Sequence, residues 1–320
     1  ERCKSVVMEA GSEGLAQGRC ESIMFDYTIF TNLTHEHLNF HKTMENYMEA
    51  KSILFKQTKK DGYCILNIDD PYSSEMSKRC NGKVLYYGEN EKADFKFFDV
   101  KIKHDSTSFK LKYKDNIYDI DTNLLGRFNV YNITAALSIL LLMKLDINDF
   151  KDILMNLNVE GRMNEISLGQ DFKVIVDYAH TPNGYLNLFE LTKTLGAKRT
   201  IIVAGSAGER DKEKRPVMGK ILVDNADYVI FTYEDPRTED PKDIINDMIQ
   251  NVLDKKEKFE IVIDRHSAIK KAISIAKKGD MVLILGKGNE TYETIGKDKI
   301  YFNDIEEATN ALKELKEKVY

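Results

Sequence analysis

The chain is poor in cysteine, carries no surplus of positive charge and contains no long apolar run. Its 320 residues include 4 cysteines, Cys3, Cys20, Cys64 and Cys80, scattered with no C-x-x-C pair. That spacing argues against a zinc ribbon and leaves all four as small buried side chains with no assigned chemistry. A formal net charge of -5 gives no general attraction to nucleic acid, and no basic segment interleaved with aromatics rescues such a partner. The longest apolar run, around Ile139 to Met143, falls short of a bilayer crossing and sits in a helical pattern, so membrane insertion is not expected. A charged-then-apolar leader is also missing, which makes a cytoplasmic location the expectation. What is present is the composition of a globular protein, 42% apolar and 31% charged, long enough for two domains with real cores.

The organising stretch is VIVDYAHTPNG, Val174 to Gly184. An apolar, β-branched run that ends on Asp177 and meets turn residues at once reads as a buried strand delivering polar groups to its carboxyl end. Thr181 and Pro182 are also an ordinary N-cap and first helical turn, so this stretch by itself is ambiguous. Its surroundings are more telling. From Lys173 onward the pattern alternates strand and helix as far as MVLILG, which predicts a parallel sheet with helices on both faces, a Rossmann-like domain lacking the GxGxxG fingerprint.

Upstream, VVME near the start reads as a strand, with Glu9 at its end, and IMFDYTIF as a second. His37 falls in the loop THEHLNFH, and Lys51 on a helix that begins near Thr43. All three are expected to face one crevice. YCILNI and Val84 to Tyr87 give further strands, NIDDP a turn, and Phe95 to Ile120 an antiparallel meander appended to the parallel sheet. Leu124 to Leu145 is an apolar helix with Asn129 and Asn132 near its start, where capping explains one Asn better than two. The domain boundary is placed after Asn158, giving 1–158 and 159–320.

Strand exits in the second half are polar and glycine-bearing, at AGSAGERDKEKRP, YEDPRTEDP, DRHS and GKGNETYE. Together they would line one rim at the carboxyl ends of the strands. Arg210, Lys212, Lys214, Arg215, Arg237 and Lys287 would supply positive charge for phosphates or carboxylates, although the run from Lys212 to Arg215 is equally a solvated face. GKGNE lacks the GxxxxGK[ST] spacing of a phosphate loop. The histidines of HEHLNFH do not have zinc spacing, whereas a single His with Glu9 suits a hard cation such as magnesium.

These motifs resemble those of the Mur ligases of bacterial cell-wall synthesis, MurE type. The likeness runs through MEAGSEGLAQGR, FTNLTHEHLNFHKTMENYMEAK, GRFNVYN, GRMNEI, VDYAHTP, GERDKEKRPVMG, EDPRTEDP and GKGNETYE, in that order. The resemblance implies an α/β chain: a partial central ATPase domain, with a parallel sheet and a small antiparallel one, then a Rossmann-like C-terminal domain. It also implies an N-terminally truncated form, without the family's GTNGKT-type phosphate loop, and therefore inactive on its own. The implied reaction activates a substrate carboxylate with ATP to an acyl phosphate, which an incoming amine displaces, with Mg2+ as cofactor.

By match to the family, Glu9 and His37 are the metal ligands, and Lys51 completes the catalytic set as a lysine that becomes carbamylated. Gln17 and Arg19 meet the UDP-MurNAc-peptide. Gly11 stands where Ser is usual and Glu13 where His is frequent. Asn129, Asn132, Arg162, Asp177 and His180 meet ATP, with Asp177 on the ribose and Tyr178 left as packing. Arg210, Asp235, Pro236, Arg237, Gly286 and Glu290 fall on the pocket of the added amino acid. There EDPR replaces DNPR, and Asn289 replaces the His of GKGHE. Arg237 favours meso-diaminopimelate, while Asp235 adds negative charge suited to lysine. The expected partners are UDP-MurNAc-L-Ala-D-Glu and the diamino acid, acting on a monomer. Two alternatives stay open: a Mur-like ligase of another pathway, such as folate glutamyl or amino-acid polymer synthesis, and a truncated, non-catalytic module that binds nucleotide or precursor.

Overall fold

A computed structural model describes residues 3–317, and the chain divides into two compact units, Glu1–Leu157 and Asn158–Tyr320. The first begins with irregular backbone up to Gly11, followed by α1 (Ser12–Ala16) and β1 (Phe25–Phe30). The strand expected at VVME is not formed: Val6 and Val7 are 82% and 99% exposed. A strand needs a ladder partner for its N–H and C=O groups, and none pairs with this stretch among the described residues. Glu9 therefore lies on irregular chain rather than at a strand end.

After α2 (Leu38–His41), Thr43 starts α3 (Met44–Lys56) by accepting a hydrogen bond from the Asn46 N–H at 3.1 Å. The chain continues through β2 (Thr58–Asn67), α4 (Ser73–Ser77), β3 (Lys83–Gly88), β4 (Phe95–Ile102), β5 (Thr107–Tyr113) and β6 (Asn116–Thr122). These strands form one six-stranded sheet in chain order, parallel from β1 to β4 and antiparallel from β4 to β6. The meander thus continues the parallel sheet instead of forming a separate one. Against it lies α5 (Arg127–Leu142), whose Val130, Ile133 and Leu137 join Phe95, Phe97 and Phe109 in one core, and α6 (Lys151–Met155) follows. Neither Asn129 nor Asn132 caps α5. The N-cap is Gly126, Asn129 donates to the Leu125 carbonyl at 2.8 Å, and Asn132 donates to Asn129 Oδ1 at 3.2 Å.

The second unit alternates β7 (Asn164–Glu165), β8 (Lys173–Asp177), α7 (Pro182–Thr194), β9 (Thr200–Ala204), α8 (Lys214–Asn225), β10 (Tyr228–Phe231), α9 (Pro241–Ile249), β11 (Phe259–Ile261), α10 (Arg265–Ile275) and β12 (Met281–Leu285). The sheet order is β11-β10-β9-β12-β8-β7, with β7 antiparallel to β8 and the rest parallel. Residues of α7, α8 and α9 build the core on one face. The other face is covered by α10 and by α11 (Asp304–Glu317), which comes after a hairpin of β13 (Tyr292–Ile295) and β14 (Asp298–Tyr301). Burial on both faces is why the strands read as unbroken apolar runs. The hairpin, with exposed Ile300 and Tyr301, had no such signature. Among the described residues no helix is long and apolar enough to cross a membrane.

One ion pair is wholly interior. Arg265 donates Nε to Asp304 Oδ1 at 2.8 Å and Nη2 to Asp304 Oδ2 at 2.6 Å, and Nη2 also reaches the Leu285 carbonyl at 2.9 Å. Both side chains are fully buried. The pair ties the starts of α10 and α11 to the end of β12. Removing one partner strands the other charge in the core. Asp304→Ala is therefore expected to cost about 3–5 kcal/mol in urea unfolding; a loss below about 1 kcal/mol, the size of an exposed pair, would contradict this account.

Candidate active site

In the first unit the expected catalytic residues gather around α3. Lys51 lies on its second turn, half-buried, with no hydrogen bond or ion pair among the described residues. Burial pushes its ammonium pKa down, while the charges of Glu9 and Glu36 pull it part of the way back. His37, the N-cap of α2, has left-handed backbone (φ 59°) and brings Nδ1 to 3.3 Å from Glu13 Oε1. The buried His41 meets Ser12 Oγ through Nε2 at 2.9 Å and stacks on Tyr47, with ring centroids 5.2 Å apart. Tyr47 is itself pushed up to about 12 by burial and then by Glu36. Just beyond α1, Arg19 donates to Gln17 Oε1 at 2.8 Å, so these two exposed residues stand together. A Cβ at Gly11 would meet open space, so the serine usual there would fit.

By donor type, the Glu9 carboxylate, the His37 imidazole and an anionic carbamate oxygen on Lys51 would suit Mg2+. Magnesium prefers oxygen ligands, so the neutral amine by itself is a poor donor.

Of the residues expected near ATP, Asn129 and Asn132 belong to the first unit and Arg162, Asp177 and His180 to the second. Asp177 is buried at the end of β8, and burial raises its carboxyl pKa despite two hydrogen bonds that oppose the shift. Those bonds come from the Met163 N–H to Oδ2 and the Ala179 N–H to Oδ1, both at 2.8 Å. They fasten the GRM turn to the strand end, a role that a bare capping or ribose reading does not include. Gly161 in that turn has φ +74°, and a Cβ there would lie 2.2 Å from the Asn289 nitrogen. Only glycine permits this approach. Tyr178, expected as packing, lies under the Arg162 guanidinium at 4.7 Å and meets His180 edge-on at 4.7 Å. His180 Nδ1 is 2.8 Å from the Tyr178 carbonyl.

The residues expected at an amino-acid pocket come from the exits of β9, β10 and β12. Asp235 is not an isolated negative charge, although it and Glu290 share one ammonium. Lys287, fully buried, donates to Asp235 Oδ1 at 2.9 Å and to Glu290 Oε2 at 3.1 Å, and the Thr294 N–H gives Asp235 Oδ1 a second bond at 3.1 Å. Burial works against the Lys287 charge, but Asp235 outweighs it and holds the ammonium above its usual value. Pro236 is packed so closely that a Cβ at Gly208 would sit 2.0 Å from its carbonyl oxygen. Next in the loop, Arg237 adopts φ 53°, is held by the β13 backbone through Thr294 O at 2.9 Å, and donates Nη1 to the Gly208 carbonyl at 2.9 Å. It forms no ion pair among the described residues.

Arg210 is exposed on the loop after β9. Gly286 faces Glu234, a buried carboxyl that sequence reasoning passed over. Burial raises its pKa, against His180, Arg265, Lys214 and Lys287.

The run Lys212 to Arg215 is neither a solvated face nor a phosphate clamp throughout. Lys214 and Arg215 are buried, and Arg215 pairs with Glu239 at 3.0 Å and Asp247 at 2.9 Å. The signal available was the helical spacing that turns Arg215 inward beside Met218 and Leu222. Among the cysteines, Cys20 and Cys64 are buried as expected, but Cys3 is exposed and Cys80 half-buried.

The two α/β units, the second with polar loops at the carboxyl ends of its parallel strands, are given a family by sequence comparison. Residues 1–140 match the Mur ligase middle domain and residues 161–288 the Mur ligase, glutamate ligase domain. The chain belongs to the Mur ligase family. It is 40% identical over 318 residues to the UDP-N-acetylmuramoyl-L-alanyl-D-glutamate--2,6-diaminopimelate ligase of Syntrophomonas wolfei, covering 98% of this chain and 65% of that protein. The ligase of the same name from Listeria monocytogenes serotype 4b is 39% identical over 315 residues, covering 96% and 64%. The chain thus spans just under two thirds of the length of these relatives. A solved structure of a ligase with that name superposes with a TM-score of 0.58 at 32% identity over 97% of this chain and 64% of that one. MurF ligase from Thermotoga maritima in complex with ADP shares the fold, with a TM-score of 0.70 at 21% identity over 94% and 65%.

The Arg215 cluster gives a pH test. Burial disfavours the Glu239 carboxylate, but hydrogen bonds from Arg215, the Glu209 N–H and Lys212 prevail and hold it at about 2, below its ordinary 4.5. A depressed carboxylate adds stability in full above the unfolded value and loses it as pH falls through the folded value. Glu239→Gln should lower the urea midpoint at neutral pH, with the deficit shrinking steadily between about pH 4.5 and about pH 2. A deficit independent of pH would refute the charge-based account.

Proposed function

We propose that this chain acts in the ATP-dependent joining of a diamino acid, meso-diaminopimelate, to UDP-MurNAc-L-Ala-D-Glu during peptidoglycan synthesis in the cytoplasm. What supports the choice of amino acid is the pairing pattern of the second unit's cations. Lys287 and Arg215 are spent on internal carboxylates, whereas Arg237 is fixed in place with no ion pair. A guanidinium anchored through one nitrogen keeps its other N–H groups for a bidentate carboxylate. The distal carboxylate of diaminopimelate is such a group; lysine has none. The expectation that Asp235 would favour lysine is weakened, because its Oδ1 is already taken by Lys287 and the Thr294 N–H.

In this reading the glutamyl carboxylate of the precursor takes the γ-phosphoryl group of ATP, releasing ADP, and the amine of diaminopimelate displaces phosphate from the acyl phosphate. Glu9 and His37 would hold Mg2+, which supplies positive charge for the transferring phosphoryl group. Lys51, carrying CO2 as a carbamate, would add an anionic oxygen beside them. Its depressed basicity helps, since the neutral amine is the form that attacks CO2. In the second unit, Arg162 over Tyr178, Asp177 and His180 are the residues we assign to the nucleotide; in the first, Asn129 and Asn132 carry the same assignment, and Gln17 and Arg19 that for the precursor. Arg210, Asp235, Pro236, Arg237, Gly286 and Glu290 would receive the diamino acid.

Two measurements test this. Calorimetric titration of the chain should give tighter binding of meso-diaminopimelate than of lysine, and Arg237→Ala should erase the difference by losing about 1.5–3 kcal/mol of charge-assisted hydrogen bonding. Equal affinity for both amino acids in the unsubstituted chain would overturn the assignment. Separately, 13C-labelled bicarbonate should yield a carbamate carbon resonance that Lys51→Ala abolishes. A spectrum unchanged by that substitution would remove Lys51 from the reading.

A further inference from the structure

The residue at position 13 is a carboxylate where the family motif frequently has histidine, and it meets the one imidazole read as a metal ligand. Consecutive residues of α1 reach two different rings: Ser12 Oγ lies 2.9 Å from His41 Nε2, and Glu13 Oε1 lies 3.3 Å from His37 Nδ1. The His37 ring is bounded further by Tyr47, edge-on at 5.8 Å. Its backbone is pinned in the left-handed region, with the carbonyl accepting from the Phe40 N–H at 3.0 Å and the His41 N–H at 2.9 Å. Glu13 and His37 are each about one third exposed, at 30% and 38% of their side chains, so the pair stands at an accessible surface.

A carboxylate can only accept a hydrogen bond. Facing Nδ1, it calls for the proton there, and in the neutral ring Nε2 then carries the lone pair. Neutral imidazole binds a cation through the unprotonated nitrogen, and the partner of the other nitrogen sets which one that is. A histidine at position 13 would offer no fixed anionic acceptor. We propose that Glu13 is a positioning residue that locks His37 in the Nδ1–H tautomer and orients Nε2 for a divalent cation. The proposal rests on the reading of His37 as a metal ligand.

The experiment uses the full chain labelled with 15N, with histidine ring tautomers read from long-range 1H–15N spectra, and Mn2+ as the probe. In the unsubstituted chain His37 should show protonated Nδ1 and bare Nε2, and added Mn2+ should broaden its ring signals. Glu13→Ala should move His37 toward the Nε2–H tautomer and weaken Mn2+ binding roughly 10- to 100-fold, while Glu13→Gln, which keeps an acceptor oxygen, should retain most of the tautomer preference. The His41 ring signals, set by Ser12, report that α1 remains in place in both variants. Should Glu13→Ala leave tautomer and affinity unchanged while His37→Ala abolishes binding, the positioning role falls and the metal site stands. Should Mn2+ leave His37 untouched in the unsubstituted chain, the metal reading itself falls, and the role of Glu13 with it.

Discussion

A single buried ammonium organises the rim of the second unit. Lys287 leaves the end of β12 with no exposure and would be costly there without compensation, so the chain surrounds it with Asp235 and Glu290. Asp235 in turn accepts from the backbone of β13, and the next turn of the EDPR loop bonds to that same hairpin. Loops from two strands and a hairpin are thereby held by one charge. The consequence for chemistry is indirect. With Asp235 paired to Lys287 and Gly208 allowing Pro236 to come close, Arg237 is a cation of the loop that forms no ion pair among the described residues.

The first unit uses the opposite device. There the lysine makes no hydrogen bond or ion pair among the described residues, and burial lowers its basicity against the opposing charges of Glu9 and Glu36. Thr43 fixes where α3 begins and so which side chains fall on its buried face: Tyr47 and Met48 go inward, and Lys51 falls half-buried beside them. The same helix supplies Tyr47, the ring against which both His37 and His41 are set. Local capping chemistry and the placement of reactive groups are thus one arrangement.

Legibility followed periodicity. The parallel sheet of the second unit was readable because strands buried on both faces are unbroken apolar runs, and Thr181 with Pro182 marked the start of α7 as expected. The segment at VVME failed for the complementary reason: composition can qualify a stretch as a strand, but only a neighbouring strand makes it one. Asn129 and Asn132 looked like caps because Asn favours that position, yet the helix starts at Gly126. The run from Lys212 to Arg215 is polar in composition, and its burial depends on the acidic residues Glu239 and Asp247, which lie far along the chain.

The candidate site divides along the same line. The residue types, the order of the motifs and the departures from them, Gly11, Glu13, the EDPR loop and Asn289, were all visible in the one-dimensional chain. Family membership needs nothing more, and the reading of Arg237 as the group that meets a carboxylate began there. Which charges are spent and which remain available was decided by tertiary contacts alone: Lys287 against Asp235, Arg215 against Glu239, Glu13 against His37, and Lys51 with no partner among the described residues. The physical reason is that a charge has no fixed chemical meaning until its neighbours and its access to water are known, and those neighbours arrive from distant parts of the sequence.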